Sequence, residues 1–123
     1  MTFKIIAWLM TVAGSILGLR FVFAGASILE EWGIEPTAGA LVVCRRLGAI
    51  YLGLALAFLL GRDAAPSPLR TGLCAGIGGA SAMLACLGVF ERLAGRAQNR
   101  ILVSVVVEGV LAAAFAWVAW SGR

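Results

Sequence analysis

The chain has 123 residues, 62% of them hydrophobic and 13% charged, with a net charge of +4 and no histidine. A soluble domain carries about 45–50% apolar and about 25% charged residues. A mean hydropathy of +1.01 therefore excludes a water-soluble globule and points to the membrane.

The missing histidine removes the commonest metal ligand and the usual acid–base group near neutral pH. Cys44, Cys74 and Cys86 lie in apolar stretches without CxxC spacing and read as buried, inert thiols. No metal and no cofactor is expected. The basic residues sit in loops, at helix ends and at a few membrane-depth positions, so they suit headgroups and topology rather than nucleic acid.

The first apolar run covers residues 3–29 and follows Lys4 directly into hydrophobic sequence. A secretory signal is the competing reading, with Ala24, Gly25 and Ala26 offering small residues for cleavage. The run is too long for a signal core and is read as a retained transmembrane helix. Gly14 and Gly18 form a GxxxG match that lets another helix approach closely. Arg20 lies inside this run. Residues 30–37 (EEWGIEPT) form an acidic loop with Trp32 at an interface position and Thr37 as the N-cap of the next helix.

The second run covers residues 38–60, with Arg45 and Arg46 about a third of the way in and Tyr51 near its middle. A charge at the bilayer centre costs about 2.5 kcal/mol or more. Adjacent residues point about 100° apart on a helix, so the two arginines need different partners. Residues 61–68 (GRDAAPSP) read as a turn, with Gly61 closing the helix and the prolines preventing its continuation.

The third run, residues 71–90, is rich in glycine and alanine and carries no charge, which marks a packing role. A basic loop with Arg92, Arg96 and Arg100 follows. The fourth run, residues 101–120, contains one charge, Glu108, and closes on Trp117 and Trp120 as an aromatic belt.

Four helices joined by short loops predict one domain: an all-α, integral membrane, antiparallel up-down-up-down bundle. Threading places Arg20, Arg45 and Glu108 about eight or nine residues from the side bearing the first and third loops. That is a common depth of roughly 10–14 Å. A shared polar layer is the cheaper arrangement, with Glu108 paired to Arg45 or Arg46 and Ser104 one turn before it on the same face. Such a pair could simply fix helix register. The cationic excess favours a pocket for an anionic or carbonyl-bearing lipophilic molecule, lined by Arg20, Arg45, Arg46, Ser104, Glu108 and Tyr51. If the protein is an enzyme, Glu108 is its acid or base, for isomerase- or cyclase-type chemistry on a hydrophobic substrate. A dimeric transporter or an accessory subunit, joined through the Gly/Ala-rich helix faces, is the remaining alternative. The expected location is the inner membrane, with lipids as partners and the N-terminus cytoplasmic.

The segments GLRFVFAG (18–25) and RLGAIYLGL (46–54) resemble the DoxX-like class of small bacterial four-helix membrane proteins. The resemblance implies a four-helix bundle in a membrane. Members of that class have varied roles, including subunits of quinone-linked oxidoreductases and partners of redox complexes.

Overall fold

The computed structural model describes residues 2–122. They form an all-helical structure of four helices: α1 (Phe3–Glu31), α2 (Ala38–Gly61), α3 (Pro68–Leu93) and α4 (Ile101–Ser121). The shortest has 21 residues. At 1.5 Å per residue that is about 31 Å, which matches a hydrocarbon core of about 30 Å. All four are long and apolar enough to cross a bilayer. By length and composition this is a multi-pass membrane protein.

The helix ends follow local chemistry. Thr37 caps α2, its hydroxyl accepting from the Ala40 N–H at 3.2 Å. The helix α1 runs past the expected Leu29 through Glu31 and closes in a Schellman turn. There the Ile34 N–H donates to the Leu29 carbonyl at 2.8 Å and the Gly33 N–H to Glu30 at 3.0 Å. Gly33 takes φ 76°, which a side chain would strain. The helix α3 begins three residues before the expected Thr71. Ser67 is extended and accepts from the Arg70 N–H at 3.1 Å, with Pro68 in the first turn. Proline there starts a helix instead of blocking one, because its missing N–H has no intrahelical partner at that position.

By contacts the chain divides into two compact units. One holds α1 from Ala7 together with α2 up to Arg62. Its α1 buries Gly14, Gly18, Phe21, Gly25 and Ile28, and its α2 buries Cys44, Gly48, Ala55 and Phe58. Both sets lie on one helical face. The helices are closest where two glycines meet. A Cβ on Gly48 would stand 2.7 Å from the Gly18 carbonyl oxygen, and one on Gly18 would stand 2.7 Å from Leu52 Cγ. The GxxxG of α1 therefore serves the contact with α2 in the same chain. Below it, Phe21, Ile28, Leu29 and Cys44 form a core with Leu41, Leu47, Trp32 and Tyr51 around them.

The other unit holds the start of α1 up to Ile6 and the chain from Asp63 onward. Its helices α3 and α4 pack through Cys74, Gly78, Ser81 and Gly88 on one side and Ile101, Phe115 and Val118 on the other. A Cβ on Gly78 would meet Phe115 Cβ at 3.0 Å, and one on Gly88 would meet Val105 Cγ2 at 2.5 Å. Trp117 and Trp120 are exposed at the end of α4, as a belt requires.

Candidate functional site

The membrane-depth charges fall into three settings. Arg20, on α1, makes an ion pair with Glu31 at the end of the same helix. A continuous helix would hold their Cα atoms roughly 16 Å apart, beyond the joint reach of the two side chains. The helix breaks at Ala24, where φ is −137° and ψ is 34°. The Ser27 hydroxyl donates to the Ala24 carbonyl at 2.8 Å, a competitor for the helical ladder. The break brings Glu31 to Arg20. Glu31 is thus the last residue of α1 and not part of a loop.

Arg45 and Arg46 follow buried Cys44 on α2, and both are exposed. They lie off the face that packs on α1, and neither has an ion-pair or hydrogen-bond partner within the α1–α2 unit. Arg46 shares its outward face with exposed Ile50, Gly53 and Ala57, and nothing stands within 4 Å of a Cβ built on Gly53. Taken together, the contacts of Gly14 with Ala55, Gly18 with Gly48 and Gly25 with Cys44 bring both arginines level with about residues 22–23 of α1. That is about 4 Å along the axis from Arg20. Within this unit, then, three arginines lie within a few ångströms of one another along the axis, and Glu31 pairs with one of them.

Tyr51 belongs to the core of this unit. Its ring stacks on Phe21 with centroids 5.7 Å apart and planes 4° apart. Trp32 meets the other side of the cluster, edge-on to Phe21 at 6.4 Å.

Glu108 is half-buried on α4 and has no ion-pair or hydrogen-bond partner within its own unit. Its position is set by spacing. Ile101, Ser104, Glu108, Leu111, Phe115 and Val118 recur every three or four residues, so the carboxyl lies on the stripe by which α4 packs. Antiparallel register, from Gly78 beside Phe115 and Gly88 beside Val105, sets it level with Ala85 of α3. Ser104 is half-buried one turn earlier, as expected.

Arg70 is the charge whose role sequence reading misses. It is 7% exposed. It donates to the Ala64 carbonyl at 2.9 Å and to the Gly122 carbonyl at 3.0 Å. Its guanidinium covers the Phe3 ring at 4.8 Å. One side chain so joins the start of α1, the turn before α3 and the end of α4. A cation at a helix C-terminus also complements the helix dipole. The only local signal is its place three residues after the cap Ser67; the acceptors lie elsewhere in the sequence.

Among the described residues no group of three His, Cys, Asp or Glu side chains is placed to hold a metal ion. No family model matches the chain, and no curated protein and no solved structure matches it.

Proposed function

We propose that this protein binds a lipophilic molecule bearing a carboxylate or a polarised carbonyl, held by Arg45 and Arg46 of α2. The observation that carries this reading is the unequal treatment of the arginines. Arg20 has Glu31, whereas Arg45 and Arg46 stand at nearly the same depth with no ion-pair partner in their own unit. An uncompensated guanidinium at membrane depth is costly, and an anionic ligand relieves that cost. Ala49 and Gly53 leave room beside the arginines for an apolar body. The likeness of residues 18–25 and 46–54 to the DoxX-like class supports a bacterial inner-membrane setting, and the count of Lys4, Arg62, Arg70 and Arg123 against Arg92, Arg96 and Arg100 supports a cytoplasmic N-terminus.

The test is extraction. Protein purified in mild detergent is extracted with organic solvent, and the extract is analysed by mass spectrometry. Wild-type protein is expected to carry a lipophilic acid or carbonyl compound that the Arg45→Gln/Arg46→Gln variant lacks. The same compound at the same stoichiometry in both would sink the proposal.

A second reading rests on Glu108, the carboxyl with no partner in its own unit. In a small membrane enzyme of the isomerase or cyclase type it is the acid or base. Turnover of a hydrophobic substrate by purified protein, abolished in Glu108→Gln, distinguishes that reading from binding alone.

A further inference from the structure

The turn between α3 and α4 carries a shallow, open recess of about 560 Å³, lined by Arg92, Gly95, Ala97, Gln98, Asn99 and Arg100. None of these residues is acidic and two are arginines. The loop leaves α3 through a Schellman turn, with the Arg96 N–H donating to the Glu91 carbonyl at 3.0 Å and Gly95 at φ 78°. It then enters α4 without a side-chain cap. The N–H groups of Ile101, Leu102 and Val103 are already taken by the carbonyls of Gln98, Asn99 and Arg100. The donors left to the recess are therefore side chains.

The three loop arginines are not equivalent. Arg96 is bound twice by Glu91, at 2.5 and 3.2 Å, and lies over the Phe90 ring at 5.2 Å. Donating to the Glu91 carboxylate holds its guanidinium charged to still higher pH. Arg92 donates its Nε–H to Asn99 Oδ1, which fixes the plane of the guanidinium. Its terminal nitrogens bond nothing among the described residues. The Arg100 side chain is exposed and has no ion-pair or hydrogen-bond partner in its unit. The recess thus presents one oriented and one unpaired guanidinium, with no acidic residue in its lining. Planar forks of this kind match the paired oxygens of a phosphate. The recess also joins two spans, which sets it at the level where phosphate groups are densest. The adjoining helix ends expose Leu93 (81%) and Val103 (68%), apolar surface for acyl chains.

We infer that this recess binds a phosphate group through Arg92 and Arg100, with Asn99 positioning Arg92. The site is separate from the one at Arg45 and Arg46 and stands or falls independently of it. The phosphate chemistry has two sources, the headgroup of an anionic phospholipid and free phosphate in the aqueous phase.

Native mass spectrometry of detergent-purified protein tests it. Phosphatidylglycerol, diacylglycerol and inorganic phosphate are titrated separately onto wild type, the Arg92→Gln/Arg100→Gln variant and Lys4→Gln. Lys4 lies at the other end of the same unit, so its loss controls for bulk charge. Phosphatidylglycerol is expected to bind about tenfold more weakly to the double variant, to bind Lys4→Gln like wild type, and to outcompete diacylglycerol. Inorganic phosphate bound with the same arginine dependence, and no such effect for the lipid, assigns the site to the soluble anion. Equal binding of both ligands by wild type and double variant overturns the inference. Should the double variant fail to fold, phenylglyoxal labelling of wild type decides. Phosphatidylglycerol or phosphate must protect Arg92 and Arg100 more than diacylglycerol does, and equal labelling throughout overturns the inference.

Discussion

Arg20 and Glu31 close an ion pair within one helix because α1 breaks between them at Ala24. Each side chain is a little over a third exposed, so the pair is neither free in water nor sealed in a core. In Glu31→Gln the guanidinium at membrane depth loses its counter-charge. The expected cost is about 1 kcal/mol, discounted for solvent screening. A double-mutant cycle with Arg20→Gln, followed by thermal unfolding in detergent, checks it; additive effects of the two changes would show no coupling.

The meeting of Gly18 and Gly48 gives the sharpest steric contrast. Gly48→Ala places a methyl group 2.7 Å from a backbone oxygen, so the helices must separate. Overpacking of this kind costs about 1–3 kcal/mol. Gly53→Ala, one and a half turns along the same helix, meets nothing within 4 Å and should leave the unfolding midpoint unchanged or slightly raised. Equal effects at the two positions would contradict the close approach.

Arg70 should behave as a structural cation. Arg70→Ala removes two hydrogen bonds and the cover of Phe3. A loss of about 2 kcal/mol is expected, visible as a lower unfolding midpoint. Arg70→Lys should recover only part of it, since a single ammonium nitrogen lacks the planar fork whose two nitrogens reach the two carbonyls. Full recovery with lysine would reduce the role of Arg70 to charge alone.

Thiol labelling offers a check of burial. Cys44 and Cys74 are buried, and Cys86 is exposed. In detergent, a membrane-permeant maleimide should add once to the folded protein, at Cys86, and three times after denaturation. Early modification of Cys44 or Cys74, read by peptide mapping, would place them elsewhere.

Much of this architecture is legible in the residues. The apolar runs set the number of helices, and Thr37 marks the start of α2 as its chemistry suggests. The small residues of α1 do mark a packing face, and the spacing around Glu108 puts it on the packing stripe of α4. What eludes sequence reading depends on contacts between distant positions or on a broken helix. The common depth of Arg20 and Arg45 is visible by counting. That Arg20 is answered by its own helix is not, because it depends on the break at Ala24, where Ser27 bonds back to the carbonyl. Pro68 reads as a stop until Ser67 is seen to cap the helix it opens. Arg70 reads as a loop charge because its acceptor, Gly122, stands 52 residues away.

That distance along the chain has a consequence for how the protein is made. A ribosome delivers Arg70 long before Gly122, so during synthesis the guanidinium waits at the membrane border without its final acceptor. The clasp closes only when the last helix has threaded through, so a chain cut before Gly122 would leave Arg70 without one of its two carbonyls.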